Sequence, residues 1–158
     1  QNPGDASLRG TDIFAWMHKT AVATRSLTDR PIIVRPHPVT PQLMMRQFQE
    51  RFSALPGIVI DYPPIRPVRA VLEDCWVLLA YSSSASIDAL VEGIPCITSS
   101  PANMAWPVSD HGLERIQQPT LFPREQWLAD LAYAQWSPDE MADGTAWRHL
   151  RPAVVRAA

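Results

Sequence analysis

The stretch "CWVLLAYSSSASIDALVEGIPCITSS", Cys75 to Ser100, decides the fold. An apolar run, "CWVLLAYSS", reads as a buried strand. Three small polar residues, Ser82, Ser83 and Ser84, close it. "SSASIDALVEG" then has helical character and stops at Gly93, and "IPCITS" starts a new strand. A strand returning to the sheet through a helix lies parallel to its predecessor.

The same alternation extends upstream. Gln1 to Gly10 reads as a loop with turn residues Asn2, Pro3, Gly4 and Asp5. A helix starts at Thr11 or Asp12 and runs to about Leu27, with Ile13, Trp16, Met17, Thr20 and Ala21 at helical spacing. Pro31 to Arg35 is a short strand. Pro41 opens a helix carrying Leu43, Met44, Phe48 and Phe52, which ends before Pro56-Gly57. "GIVIDY" is a second strand, and a short helix covers Val68 to Glu73. Strands that alternate with helices and are apolar throughout imply a parallel sheet covered on both faces.

Past Ser100 the pattern changes. "PANMAWPVSDHGLERI" reads as a loop with one helical turn. Pro123 to Trp136 is an amphipathic helix with Trp127, Leu128, Leu131 and Ala132 on one face. Ser137 and Glu140 have capping-box spacing. The expected division is therefore a Rossmann-like domain over residues 1–122 and a helical segment over 123–158. That segment would pack on the domain or on a part of the protein outside the sequence.

Composition narrows the classes. The 158 residues suit one domain with a sizeable core, and 46% apolar content argues against disorder. A net charge of −2 does not suggest a generic polyanion binder, and a nucleic-acid partner would need a local basic patch. Cys75 and Cys96 sit in strand-like runs, as buried reduced thiols do. No apolar run reaches the roughly 20 residues of a membrane span, and there is no signal peptide at the front. The expected location is the cytoplasm, or the inner face of a membrane. The opening without Met suggests a fragment, a processed product or a trimmed chain.

In parallel α/β sheets, ligands bind beyond the carboxyl ends of the strands. Arg35-Pro36-His37-Pro38 lies there, as do Ser82 to Ser84, Ser99, Asn103 and Trp106. The serines either hold phosphate at a strand end or cap the following helix. Pro36 and Pro38 restrict the backbone around His37, delivering its imidazole at low entropic cost. No residue has metal-ligand spacing to His37, so no metal is expected. Asp88 and Glu92 are positioned for a ribose hydroxyl or for solvent. Asp5 is a candidate nucleophile or acid/base, or an ordinary turn residue. Trp106, Asp110 and His111 follow the last strand, where Trp106 either stacks on a base or sugar or is buried.

Gln1-x-x-x-Asp5-x-Ser7, Arg35-Pro36-His37-Pro38, "SSSASIDALVEGIPCI" and "AWPVSDH" occur in the order found in one family. Together they resemble the C-terminal half of the capsule polysaccharide synthesis proteins, which include β-Kdo transferases of GT-B fold. The likeness covers roughly residues 1 to 115, and the ordered set is more specific than any one motif. It implies a Rossmann-like three-layer domain binding a nucleotide sugar, CMP-Kdo or another CMP-sugar, with a UDP-sugar as an alternative. No tightly bound cofactor is implied.

Under that likeness Asp5 is catalytic, the Kdo branch being retaining with a carboxylate nucleophile. Arg35, His37, Pro38, Ser82, Ser83, Ser84 and Asp88 hold the donor and its phosphate. Gln1, Ser7, Ser99, Asn103, Trp106 and Asp110 are candidate base or sugar contacts.

The sequence also departs from the family. Asp88 stands where many members have Glu, and "AWPVSDH" lacks a Gly beside Trp106. The family's acceptor domain, and the strand expected just before Gln1, lie outside the 158 residues. The acceptor would be a glycan, or a modified nucleobase in a virus. A sugar-nucleotide 2-epimerase and a non-catalytic binding or assembly module are the competing readings.

Overall fold

The computed structural model describes residues 12–62 and 66–149, apart from the side chains of Leu43 and Gln47. The described residues fall into two compact units, one up to Phe122 and one from Pro123. The first is a small mixed α/β unit with parallel strands. In order it contains α1 (Ile13–Arg25), β1 (Ile32–Val34), α2 (Gln42–Phe52), β2 (Ile58–Ile60), α3 (Val68–Leu72), β3 (Leu78–Ala80), α4 (Ala85–Val91) and β4 (Cys96–Thr98). Two 3-10 turns, Trp106–Val108 and Leu113–Arg115, follow.

The strands do not form one continuous sheet. β1 pairs with β2 in register Ile32↔Ile58 to Val34↔Ile60, and β3 pairs with β4 in register Leu78↔Cys96 to Ala80↔Thr98. Both pairs are parallel, and each is a separate two-stranded sheet among the described residues. The expected covering on both faces also fails at β1–β2. Ile32, Ile58 and Ile60 pack with Val34 against a core of Ala21, Met45, Phe48 and Phe52. Ile33 and Val59, on the opposite pleat, are 54% and 57% exposed.

Local chemistry explains the punctuation. Asp12 caps α1, its Oδ1 accepting from the N–H groups of Phe14 and Ala15. Gly57, at φ 72°, turns the chain into β2 and accepts from the Ile32 N–H at 3.0 Å. Gly93, at φ 79°, follows the end of α4, where a left-handed residue favours glycine. Beyond β4 the chain turns back on itself. Thr98 N–H donates to the Asp110 carbonyl, and Asp110 N–H donates to that of Cys96.

The second unit contains α5 (Glu125–Tyr133) and α6 (Pro138–Ala142), and a reciprocal capping box of Ser137 and Glu140 starts α6. The Ser137 N–H donates to Glu140 at 2.8 Å and holds that carboxyl below its ordinary range. Trp127, Leu128 and Leu131 are half-buried, whereas Ala132, expected on the same face, is exposed. His149 meets the Tyr133 hydroxyl at 2.6 Å and packs against Trp136.

Both cysteines are free, Cys96 buried and Cys75 half-buried. Burial pushes the Cys96 thiol up to about 12, so almost no thiolate exists at neutral pH. Cys96 is therefore expected to resist iodoacetamide at pH 8 until the chain unfolds. Mass spectrometry in increasing urea checks this, and alkylation of Cys96 before the unfolding transition would contradict its placement.

Candidate functional site

A cavity of about 670 Å³ opens between β1 and β3. Ile32 to Val34 form one wall and Leu78 to Ala80 the other. Ile13, Trp16, Met17, Thr20 and Ala21 of α1 line it as well. These are the positions whose helical spacing marks the apolar stripe of α1 in the sequence. Trp16 reaches across to Tyr81 in an edge-on contact, ring centroids 5.6 Å apart. The polar side chains of the lining come from Arg35, His37 and Thr40 after β1, with Pro36 and Pro38 between them, and from Ser82, Ser83, Ser84 and Asp88 after β3. The two candidate strand ends thus meet on one cavity.

His37 is exposed and sits at the start of a turn closed by Thr40 N–H donating to the His37 carbonyl at 2.9 Å. Pro38 occupies the second position of that turn, where its fixed φ is an advantage. The Val39 N–H points at His37 Nδ1 from 3.4 Å. Nδ1 therefore accepts, and a neutral ring carries its proton on Nε2 as a donor. Tyr62 supports the turn by donating its hydroxyl to the Thr40 carbonyl at 2.9 Å.

Arg35 is placed differently from the expectation of a phosphate ligand. Its Nη1 lies 3.0 Å from Asp61 Oδ2, both side chains being about 20% exposed. Those two atoms are angled poorly for a hydrogen bond, so the contact is an ion pair. Nη2 donates to the Arg66 carbonyl. Arg35 lines the cavity, but its charge is compensated. Asp61 is the residue that sequence reasoning missed. The register Val34↔Ile60 makes residues 35 and 61 neighbours at two strand ends, and this pairing was the available signal.

Ser83 Oγ accepts from the Ala85 N–H at 3.2 Å, while Ser84 makes no side-chain cap bond. Helix α4 has seven residues, so it adds little dipole. Asp88 is exposed in its first turn and on the cavity. Glu92, one turn on, is held by Arg69, whose guanidinium it drives further above its ordinary range.

The remaining candidates fall elsewhere. Ser99 is exposed and outside the cavity lining, its N–H donating to the Ala80 carbonyl. Asn103 is 3% exposed, with Oδ1 accepting from Ala105 N–H and Ser86 Oγ. Trp106 stacks on His111, ring centroids 3.5 Å apart, leaving that face closed to a base. Asp110 is buried, accepts from Thr120 N–H at 2.7 Å and faces Arg115 at 3.5 Å. Asn103 and Asp110 are thus bonded within the fold, and one face of Trp106 is covered. Gln1, Asp5 and Ser7 lie outside the described residues.

Among the described residues no three His, Cys, Asp or Glu side chains group as metal ligands, and no helix is long and apolar enough to cross a membrane. The chain matches no family model, no curated protein and no solved structure.

Proposed function

We propose that the polar lining of the cavity binds the phosphate of a nucleotide sugar, as the donor-binding part of a glycosyltransferase with a GT-B-like, Rossmann-type domain. The observation that supports this reading is the meeting of His37 with Ser82, Ser83 and Ser84 on one cavity. A proton on Nε2 suits the imidazole as a phosphate donor, and the serine hydroxyls supply further donors. A CMP-sugar is the proposed donor and a hydroxyl-bearing glycan the proposed acceptor. Asp88 is the ribose-facing carboxylate of this reading. Asp5 is its proposed nucleophile, carried over from the sequence likeness alone.

Because Arg35 is paired with Asp61, its charge is not free to strengthen phosphate binding at the end of β1. His37 therefore carries a large share of the affinity. A hydrogen bond to a charged group contributes about 1.5–3 kcal/mol, or roughly 10- to 100-fold in Kd. CMP, titrated into the chain by NMR, is expected to shift the resonances of His37 and Ser82 to Ser84. His37→Ala should weaken binding about tenfold or more. If CMP and UDP both leave these resonances unmoved at millimolar concentration, the reading fails. Binding by the full-length protein without transfer to any glycan would instead favour a non-catalytic nucleotide-sugar module.

A further inference from the structure

We propose that a second cavity, between the start of α1 and one face of α2, binds a free α-amino acid with an apolar side chain. The inference stands without the nucleotide reading, and the two cavities share only Phe14 among their lining residues.

The second cavity measures about 300 Å³ and is lined by Asp12, Phe14, Met44, Phe48 and Arg51. Met44, Phe48 and Arg51 stand at positions i, i+4 and i+7 of α2, so they share one face. At about 1.5 Å per residue, Met44 and Arg51 are about 10 Å apart along the helix. That face therefore changes from apolar to cationic along its length. Phe14 meets the buried Phe48 edge-on, ring centroids 5.2 Å apart. Phe14, Phe48 and Met44 make an apolar floor, and the exposed Asp12 and Arg51 add one charge of each sign.

Neither charge is used up within the fold. Asp12 Oδ1 accepts from the N–H groups of Phe14 at 3.0 Å and Ala15 at 3.1 Å, which leaves Oδ2. Among the described residues Oδ2 has no hydrogen bond, and the Arg51 guanidinium has neither a hydrogen bond nor an ion pair. Arg25, Arg35, Arg66, Arg69 and Arg115, by contrast, each meet a carboxylate. Asp12 and Arg51 do not pair with each other, although both line one small cavity.

A zwitterion satisfies both groups at once. Its ammonium donates to Asp12 Oδ2, and its carboxylate matches the forked donor set of Arg51. Its apolar side chain covers the floor, where burial adds to the affinity. A simple amine or a simple carboxylate answers only one of the two charges. The size agrees as well. At about 30 Å³ for a water-sized group, about 300 Å³ holds roughly ten non-hydrogen atoms, the size of leucine, methionine or phenylalanine. Both charged groups are exposed, so their ion pairs are weak and binding is expected at roughly millimolar concentration.

The test titrates L-leucine into the whole chain and follows the Met44 methyl and Phe48 ring resonances by NMR. Leucine is expected to shift both. Glycine keeps both charges but has no side chain for the floor, and should shift neither. L-leucinamide lacks the carboxylate and isocaproate lacks the amine, so each should bind at least about threefold more weakly than leucine. Two variants assign the contacts. Arg51→Gln should bind leucine and leucinamide alike, and Asp12→Asn should bind leucine and isocaproate alike. Asn caps a helix as well as Asp does, and Arg51 is exposed, so both variants should fold. Loss of these preferences is a readout that altered packing alone would not produce. No shift with leucine at tens of millimolar, an equal response to glycine, or analogues that bind as tightly as leucine overturn the proposal. So do preferences that survive both substitutions. Leucine should leave His37 and Ser82 to Ser84 unmoved, and CMP should leave Met44 unmoved, so this proposal and the phosphate-binding one fail separately.

Discussion

Phe48→Ala is expected to lower the unfolding free energy by about 3–5 kcal/mol, the range for emptying a buried aromatic site. Phe48 is 1% exposed, in edge contact with Phe14 at 5.2 Å and tilted against Phe52 at 4.4 Å. It joins α1 and α2 over the β1–β2 pair. Two strands of three residues supply few ladder bonds, and an isolated pair is marginal in water. The packing on their inner face must therefore supply most of the stability of this part. Total stabilities of small domains are about 5–15 kcal/mol, so the loss is expected to leave much of the chain unfolded at 37 °C. Phe48→Leu keeps most of the apolar volume and should cost less. Urea unfolding at 25 °C measures both. A loss under about 1 kcal/mol for Phe48→Ala would mean that α2 does not pack as described.

The order of elements was legible because its punctuation is local. Pro31, Pro41, Pro56-Gly57 and Gly93 act on their own backbone and need no distant partner. The apolar stripe of α1 was legible for the same reason. What "Pro31-Ile-Ile-Val" could not reveal is which of its neighbours are present. Those residues read alike in the middle of a continuous sheet and at the edge of a two-stranded one, because a run of apolar residues records burial and not the partner that provides it. The split into two pairs was therefore invisible, as was the bare face at Ile33 and Val59.

The candidate site was legible to the same depth. Placing Arg35, His37 and Ser82 to Ser84 at strand ends, and Asp88 on the helix that follows the serines, was enough to bring them to one cavity. Assigning their roles required side-chain partners from afar. Asp61, 26 positions after Arg35, removes its free charge. His111 covers the Trp106 ring, and Asp110 is taken by Thr120 and Arg115. Polar residues in a loop look available in a sequence because the groups that claim them meet them only in the folded chain.

Asn103 gives the sharpest case. Asn103→Ala is expected to cost about 2–4 kcal/mol, while leaving nucleotide affinity within about threefold in the folded protein. Its Oδ1 accepts from Ala105 N–H at 2.9 Å, and its Nδ2 donates to the Tyr81 carbonyl at 3.2 Å. Ala105 is fully buried, so removing the amide leaves its N–H without an acceptor, at about 1–3 kcal/mol. The vacated volume adds to that loss. Ser86 Oγ has one proton for two acceptors, Asn103 Oδ1 at 2.9 Å and the Ser83 carbonyl at 2.8 Å. Without Asn103 it settles on Ser83, which keeps the serine turn in place and limits the effect on the cavity. Asn103→Asp retains the acceptor for Ala105 but sets a buried carboxylate against the Tyr81 carbonyl, and should cost at least as much. Urea unfolding and CMP titration on the same variants separate packing from contact. Were Asn103→Ala to weaken CMP as much as His37→Ala does, with the unfolding free energy unchanged, Asn103 would be a ligand group after all.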